Sequence, residues 1–506
     1  MTFIATRSSA LAIKEETTEG TPVAPSSTGD YVALQDDFSM SPSFDTIENA
    51  ELRDSIGAAK PINGLENPEA SFSHYLRHSG IEGEAPNYAL LLKSALGTET
   101  VNSTEDDTVN GSSTTNLVVN TGEGADYPRG RALLIKDSTN GYRIRAVHTD
   151  AVSDSIPLSF MLPNAPASGI NLGKSVDYAP VNTGHKSLSL WHFVGNSGAI
   201  QMMAGAKVSE MAISIAAGDL INASYSFSGA GYYFDPIEIK STDRYLDFTN
   251  DDGTAAAVIA AKMYKDPHDL ASALQTAMRN ASPGETATVT YSDVTGKYTI
   301  KSTGTVLSLL WNSGTNAANT VGDKIGFLTA ADDTGTAATT GYTSDNALVL
   351  SSPQTGVLDD SDPLAAKDNE VMIGDQDDYQ CFGASSVDVT ISNELADVLS
   401  VCAESGKAAN LVTTRAVTIS VTSLLQQYDA DKWARFRQGI ATRFQYSFGT
   451  KSGGNWVPGK CGMIYAPDTT ITSFTIADQD GQASLEMELT AYVAVAGEGE
   501  IFIGFV

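Results

Sequence analysis

Hydrophobic and polar residues alternate at a period of two along much of the chain, which is the pattern of strands that bury one face. Apolar residues occupy every second position in segments 221–228, 417–421 and 485–493. Each segment is predicted to place one face on a core and the other on water or on a neighbouring subunit. The chain is therefore predicted to be mainly β.

Helical patterns are few. Segment 428–444 is predicted to be a helix, with Asp429 as its cap and an apolar stripe through Trp433, Phe436, Ile440 and Phe444. A shorter helix is predicted over 86–96, ended by a glycine. A third is predicted after Asp266, which is followed by a proline suited to the first helical position.

One order of elements occurs twice along the chain. A strand, a loop, a second strand, a helix and a hairpin follow one another in the first half, which ends in a hairpin over 209–228. The second half has the same order and ends in a hairpin over 470–493. This order predicts an internal duplication, although residue identity is low and any β-rich chain can give such matches.

The segment between the halves differs in character, since it combines a well-signalled helix with a hairpin over 286–302. We expect two similar β-barrel or β-sandwich units, each with one packed helix, and a small inserted α+β domain. The predicted limits are an N-terminal arm (1–30), a first β unit (31–235), the inserted domain (236–349), an acidic linker (350–379) and a second β unit (380–506).

Charge narrows the classes of partner. The 506 residues carry 61 acidic and 31 basic side chains, a formal net charge of −30 at pH 7. Such a chain is not expected to grip nucleic acid, because phosphate binding needs clustered Lys and Arg. The negative charge is still compatible with a protein that DNA passes without binding. The three cysteines are too few and too far apart for a disulfide framework, and no apolar run is long enough to cross a membrane.

No catalytic or metal-binding constellation emerges from the residue types and spacings. His74 and His78 lack the glutamate of a zinc hydrolase, and Asp247, Asp251 and Asp252 fail the EF-hand spacing. Carboxylates are so plentiful that a catalytic pair of the glycosidase type is left as an alternative. We expect no enzyme activity, no cofactor and no catalytic, cofactor-binding or metal residues.

Four stretches, in this order, resemble the tail tube (major tail) proteins of long-tailed, siphovirus-type bacteriophages. They are KEETTEGTPVAP at 14–25, the strand-loop-strand of 38–76 with its following helix PNYALLLKSALG, the hairpin AKVSEMAISIAAGDLINASYSFSGAG at 206–231, and the run 387–493 with the helix WARFRQGIATRF. The inserted domain and the polar stretch 102–180 depart from this family plan.

The resemblance implies a structural virion protein that polymerises as stacked rings into a tail tube, the channel for genome DNA. It implies contacts with a tape measure protein, a tail terminator and distal tail proteins, assembly in the host cytoplasm and a sheathless tail. DNA would cross the channel without specific binding, and no membrane would be involved. If the chain holds two tube units, three chains complete a ring that usually has six units; a hexamer is the alternative.

The resemblance also suggests where to look for functional residues. Ser224, Ser226, Glu486 and Glu488 lie on polar strand faces that would line the lumen, or else simply face solvent. An arm that would bridge subunits or rings comprises Glu16, Thr17, Thr18, Gly20, Thr21 and Pro22, with a disordered tail as the plain alternative.

The main alternative function is a phage receptor-binding or glycan-cleaving tail fibre, or another adhesin. Such proteins usually trimerise through long repeated strands or coiled coils, and the sequence shows no short-period repeat. A cell-surface array protein is a third interpretation.

Overall fold

A computed structural model of the chain describes residues 9–26, 28–51, 57, 60–195, 199–335, 338–350, 361–378, 381–426, 429–479, 481–494 and 499–506. Residues 351–360 and 379 of the predicted linker, residues 1–8 and 27 of the predicted arm, and the predicted helix start at Tyr428 lie outside these ranges.

Strands dominate the structure, which confirms the mainly β prediction. In chain order they are β1 (Ala10–Glu15), β2 (Tyr31–Val32), β3 (Ser39–Ser41), β4 (Phe44–Ile47), β5 (Ile62–Glu66), β6 (Glu69–Tyr75), β7 (Gly97–Asn102), β8 (Asp106–Asp107), β9 (Asn116–Val118), β10 (Ala132–Ile135), β11 (Arg143–Ala146), β12 (Ser155–Pro157), β13 (Asn171–Leu172), β14 (Ser175–Pro180), β15 (Leu188–Phe193), β16 (Ile200–Ala216), β17 (Asn222–Ser228), β18 (Gly231–Phe234), β19 (Ile237–Glu238), β20 (Tyr245–Asn250), β21 (Gly253–Val258), β22 (Met263–Tyr264), β23 (Ala287–Ser292), β24 (Lys297–Ser302), β25 (Leu307–Leu309), β26 (Tyr342–Thr343), β27 (Glu370–Gly374), β28 (Ala384–Leu399), β29 (Lys407–Leu424), β30 (Thr442–Ser452), β31 (Asn455–Gln479), β32 (Gln482–Ala491) and β33 (Phe502–Phe505). The helices are α1 (Ala89–Leu96), α2 (Pro267–Ala281) and α3 (Ala430–Gln438).

The chain forms two compact units. The smaller unit comprises Met1–Leu11, Leu190–Ala204 and Gly231–Thr355, and the larger comprises Ala12–Ser189, Gly205–Ala230 and Gly356–Val506. The predicted inserted domain, 236–349, lies within the smaller unit, and the predicted domain limits stay predictions.

The larger unit is organised by one long antiparallel ladder. Its strands follow one another in the spatial order β3, β6, β17, β16, β28, β29, β32, β31. Beyond the ladder, β31 also pairs with β30 and β33, which continue to β27 and to β14 and β7. The β16–β28 pairing therefore joins a strand that comes before the predicted insertion in the chain to a strand that comes after it.

Two helices are shorter than the sequence pattern predicts. Helix α3 ends at Gln438 because Gly439 adopts a left-handed conformation (φ 60°), so Phe444 lies in β30 and not on the helix. Asp429 makes no capping hydrogen bond to α3, which corrects that prediction. Helix α1 begins only at Ala89, and Gly97 ends it in the left-handed conformation, as predicted. Among the described residues no helix is long and apolar enough to span a membrane.

The smaller unit packs α2 against short sheets. Leu270, Leu274 and Met278 recur at four-residue spacing and are buried in its core. The hairpin β23–β24 forms as predicted, and Ile325 lies in a short 3-10 helix, Gly322–Ile325. Gly326, left-handed at φ 83°, ends that turn.

Asp266 begins α2 as the sequence predicts, since its carboxylate accepts a hydrogen bond from the Asp269 amide at 2.8 Å. We expect Asp266→Ala to lower the free energy of unfolding of the smaller unit by about 1 kcal/mol, because it leaves a helix-end amide unpaired. Thermal unfolding followed by circular dichroism measures the change. Asp266→Asn keeps a capping oxygen and is the matched control; an equal loss in both variants would contradict a capping role.

Candidate assembly surface

One face of the long ladder is polar on every strand. This polar face consists of Ser39, Ser41, Glu69, Ser71, Ser73, Tyr75, Ser209, Glu210, Ala212, Ser214, Ala216, Asn222, Ser224, Ser226, Ser228, Ser386, Asp388, Thr390, Ser392, Thr418, Ser420, Thr422, Ser473, Thr475, Ala477, Glu486, Glu488 and Thr490. The opposite face of the same strands is apolar and buried over most of its extent, as at Ile213, Tyr225 and Ile419. The period-two alternation read from the sequence therefore holds across strand after strand.

The structure brings the four predicted lumen residues onto this single face. Ser224 and Ser226 lie on β17, and Glu486 and Glu488 lie on β32, four strands farther along the ladder. Both serines are half-buried and both glutamates are exposed. Their assignment to a lumen stays a prediction, but their shared face is a fact of the fold.

The exposed charges of the polar face are negative. Glu69, Glu210 and Asp388 join the two predicted glutamates on it, whereas Lys207, which the register places opposite Ser228, is buried and paired with Glu19 at 2.7 Å. Sequence reasoning missed these three carboxylates. The signal for Asp388 was present, because it sits at the polar phase of the alternating segment 386–391.

The predicted arm packs on its own chain through one buried carboxylate. Glu16 accepts hydrogen bonds at 2.8 Å from the amides of Gly20 and Gly205 and from the Ser189 hydroxyl. Burial raises the pKa of Glu16, and the bond from Gly205 opposes that rise. Thr17, Thr18 and Thr21 are exposed, while Pro22 is half-buried. An inter-subunit role for these residues stays a prediction.

His74, one of the two weighed as metal ligands, is a core residue. Its ring is 2% exposed and lies 4.5 Å from the Tyr88 ring and 5.5 Å from the Tyr225 ring, centroid to centroid. Burial lowers its pKa to about 4. Across the described ranges, no group of three or more His, Cys, Asp or Glu side chains is placed to hold a metal ion.

Buried neutral His74 should make the fold acid-sensitive. Its pKa falls from an ordinary 6.5 to about 4 on folding, so the unfolded chain takes up a proton first as pH drops. Stability is therefore lost between pH 6.5 and 4, by about 3 kcal/mol from this residue. We expect His74→Phe to reduce that loss in denaturant titrations of dilute, unassembled protein. An unchanged pH slope, with wild-type stability at pH 7.5, would contradict this assignment.

The β31 end of the ladder differs from its middle in exposure. At the β31 end, Ile476 is 59% exposed and Trp433 of α3 is 48% exposed. Trp433 contacts Phe474 with ring centroids 5.4 Å apart. An apolar groove of about 490 Å³ lies beside them, lined by Leu425, Gln426, Asp429, Ala430, Trp433, Phe474 and Ile476. The stripe predicted on α3 therefore lies at an uncovered surface.

Comparison with known proteins identifies the family. The model of the family described as phage tail tube protein matches residues 6–262, about half of the chain. Similar solved chains come from the virion of a native gene transfer agent particle (21% identity, 25% of this chain and 92% of that one, TM-score 0.19), the tail of an empty gene transfer agent particle (20%, 24% and 92%, TM-score 0.19) and the SPP1 tail tube (13%, 24% and 72%, TM-score 0.19). No curated protein matches. With a family match over half its length, the chain belongs to the phage tail tube protein family.

Proposed function

We propose that three copies of this chain close into a ring, and that the rings stack into a phage tail tube with the polar face lining its DNA channel. The chain is a structural protein of the phage tail by its family. The number of copies, the lumen residues, the absence of catalysis and the contacts with tape measure, terminator and distal tail proteins are parts of this proposal.

The strand order of the ladder supports two tube units in one chain. Its first four strands run in the order β3, β6, β17, β16, and its last four run β28, β29, β32, β31. In each set, the two strands that come first in the chain are followed by a helix, α1 or α3, and then by a hairpin. Both hairpins carry a bulge, at Ser209 in β16 and at Thr472 in β31. A bulge interrupts pairing at one defined place, so its recurrence is a specific feature of a duplicated unit.

The eight-strand ladder is the observation that best supports a ring of three chains, because it sets the size of the resulting barrel. Each chain supplies an eight-strand ladder, so three chains supply three times eight strands. At about 4.8 Å per strand and a tilt of about 40°, the backbone barrel is about 48 Å across, and side chains leave a channel of roughly 40 Å. Two chains would form a backbone barrel about 32 Å across and leave roughly 24 Å, which is too narrow for a DNA duplex of about 20 Å with its hydration shell. Three is the smallest number that admits hydrated DNA.

The charge of the polar face fits passage of DNA without capture. DNA carries about one negative charge per 1.7 Å of its axis, and a basic lining would bind it by releasing counterions. A face with five carboxylates, Glu69, Glu210, Asp388, Glu486 and Glu488, and many hydroxyls repels the phosphates. No observation favours the tail fibre alternative.

Negative-stain electron microscopy combined with native mass spectrometry tests the proposal. We expect purified protein to form rings or tubes with an open channel, and a single ring to have the mass of three 53.2-kDa chains. Rings of six chains would overturn the duplication, and compact particles that never form rings at any concentration would overturn the assembly.

A further inference from the structure

The two ends of the ladder are strand edges that lack a neighbour among the described residues. Residues 470–479 of β31 pair with β32 on one side, and β3 pairs with β6 on one side. Open edges invite pairing with another chain, and proteins normally cover or disrupt them. Within one copy these two edges do not pair with each other, so a second copy is the natural occupant.

A template for that pairing exists inside the chain. β16, the last strand of the first set, pairs antiparallel with β28, the first strand of the second set. On the apolar face of this internal junction, Ile213 lies opposite Val389, and each is 1% exposed. On its polar face, Ala212 lies opposite Thr390 and Ser214 lies opposite Asp388.

The recurring bulge aligns the two sets residue by residue. Aligning Ser209 with Thr472 makes Ile476 of β31 the counterpart of Ile213 in β16. Following the ladder from there makes Met40 of β3 the counterpart of Val389 in β28. The register of the internal junction can therefore be transferred to the open edges.

We propose that residues 475–477 of one copy pair antiparallel with Ser39–Ser41 of the next, with Ile476 opposite Met40, Thr475 opposite Ser41 and Ala477 opposite Ser39. This inference rests on the proposed ring and specifies its seam. The seam places both apolar side chains on the face that is buried elsewhere in the ladder, and both serines on the polar face.

Exposure distinguishes the open β31 edge from its internal counterpart, whereas Met40 at the β3 edge is only 7% exposed in one copy. Ile213 is 1% exposed at the internal junction, whereas Ile476 at the equivalent place is 59% exposed. The groove beside Ile476 adds Leu425 and Trp433 to the uncovered apolar surface. A second copy of the chain is the expected occupant of this surface, because the sheet would continue from β31 of one copy into β3 of the next.

Disulfide trapping tests the register. Residues directly opposite in antiparallel strands lie about 4.5–5.5 Å apart, within disulfide reach, whereas diagonal neighbours are about 7–8 Å apart and beyond it. The test pair is Thr475→Cys with Ser41→Cys. The matched control is Thr475→Cys with Ser39→Cys, which is one diagonal step away and equally exposed. Both are made with Cys381→Ser and Cys402→Ser, because those two cysteines are exposed.

After mild oxidation of assembled protein, we expect chain-to-chain crosslinking of the test pair at least about tenfold above the control on non-reducing gels. Rings visible by electron microscopy with no crosslink, or with stronger crosslinking of the control, would overturn the register and leave the ring standing. Absence of rings in the serine background, when wild-type protein forms none either, would overturn the proposed function itself and the seam with it.

Discussion

Replacing Ile476 by aspartate should abolish ring formation while the single chain stays folded. Ile476 is 59% exposed in one copy, so a carboxylate there meets water and costs the isolated fold little. At the proposed seam the same carboxylate would be buried opposite Met40 without a partner, at a cost of several kcal/mol per interface. We expect the protein concentration needed for assembly to rise by at least about 100-fold.

Analytical ultracentrifugation over a concentration series measures this shift, and circular dichroism confirms that the variant is folded. Val294→Asp is the matched control, since Val294 is also β-branched and is 95% exposed on the hairpin of the smaller unit. Normal assembly of the Ile476→Asp variant would contradict the seam. Failure of both variants to assemble would show an effect of added charge and not of position.

Reversing charge on the polar face should turn a channel that DNA crosses into one that DNA binds. Glu486 and Glu488 are exposed and lie between hydroxyl-bearing residues of β29 and β31. Lysines introduced at these positions would therefore have no directly opposite cation to repel them. In a ring of three, Glu486→Lys with Glu488→Lys changes the lumen charge by twelve units, since two sites change by two units in each chain. Lysine–phosphate contacts release counterions, so binding should be strong at low salt and fall steeply as salt rises.

The measurement is retention of short duplex DNA by assembled tubes between about 50 and 200 mM salt, across which lysine–phosphate binding weakens strongly. Asp293→Lys with Glu238→Lys makes the same charge change on exposed side chains of the smaller unit and is the matched control. Retention by the lumen variant alone, after removal of DNA bound outside by nuclease, is the predicted outcome. Equal retention by both variants would place Glu486 and Glu488 outside the channel.

Much of the fold could be predicted because burial on one face leaves a direct trace in the sequence. The alternation at 221–228 and 485–493 correctly indicated β17 and β32, and Asp266 with the proline that follows it correctly indicated the start of α2. These are local signals, set by side-chain direction and by unpaired helix ends.

The sequence-based predictions failed or fell short where nonlocal contacts or a single glycine determine the local structure. The stripe through Trp433, Phe436 and Ile440 suggested a longer helix, but Gly439 ends α3 and Phe444 joins the core of β30. The pairing of β16 with β28 could not be read from the sequence, because strand partners distant in the chain leave no periodic signal. That pairing places Ser224, Ser226, Glu486 and Glu488 on one face, which the sequence showed only strand by strand.

Cryo-electron microscopy of assembled tubes at side-chain resolution would decide whether three chains close the channel. We expect rings with threefold symmetry, an inner barrel of three times eight strands, Glu486 and Glu488 facing the lumen, and β31 of one copy paired with β3 of the next. Six copies per ring, or an inner wall that does not include the polar face, would contradict the proposed tube.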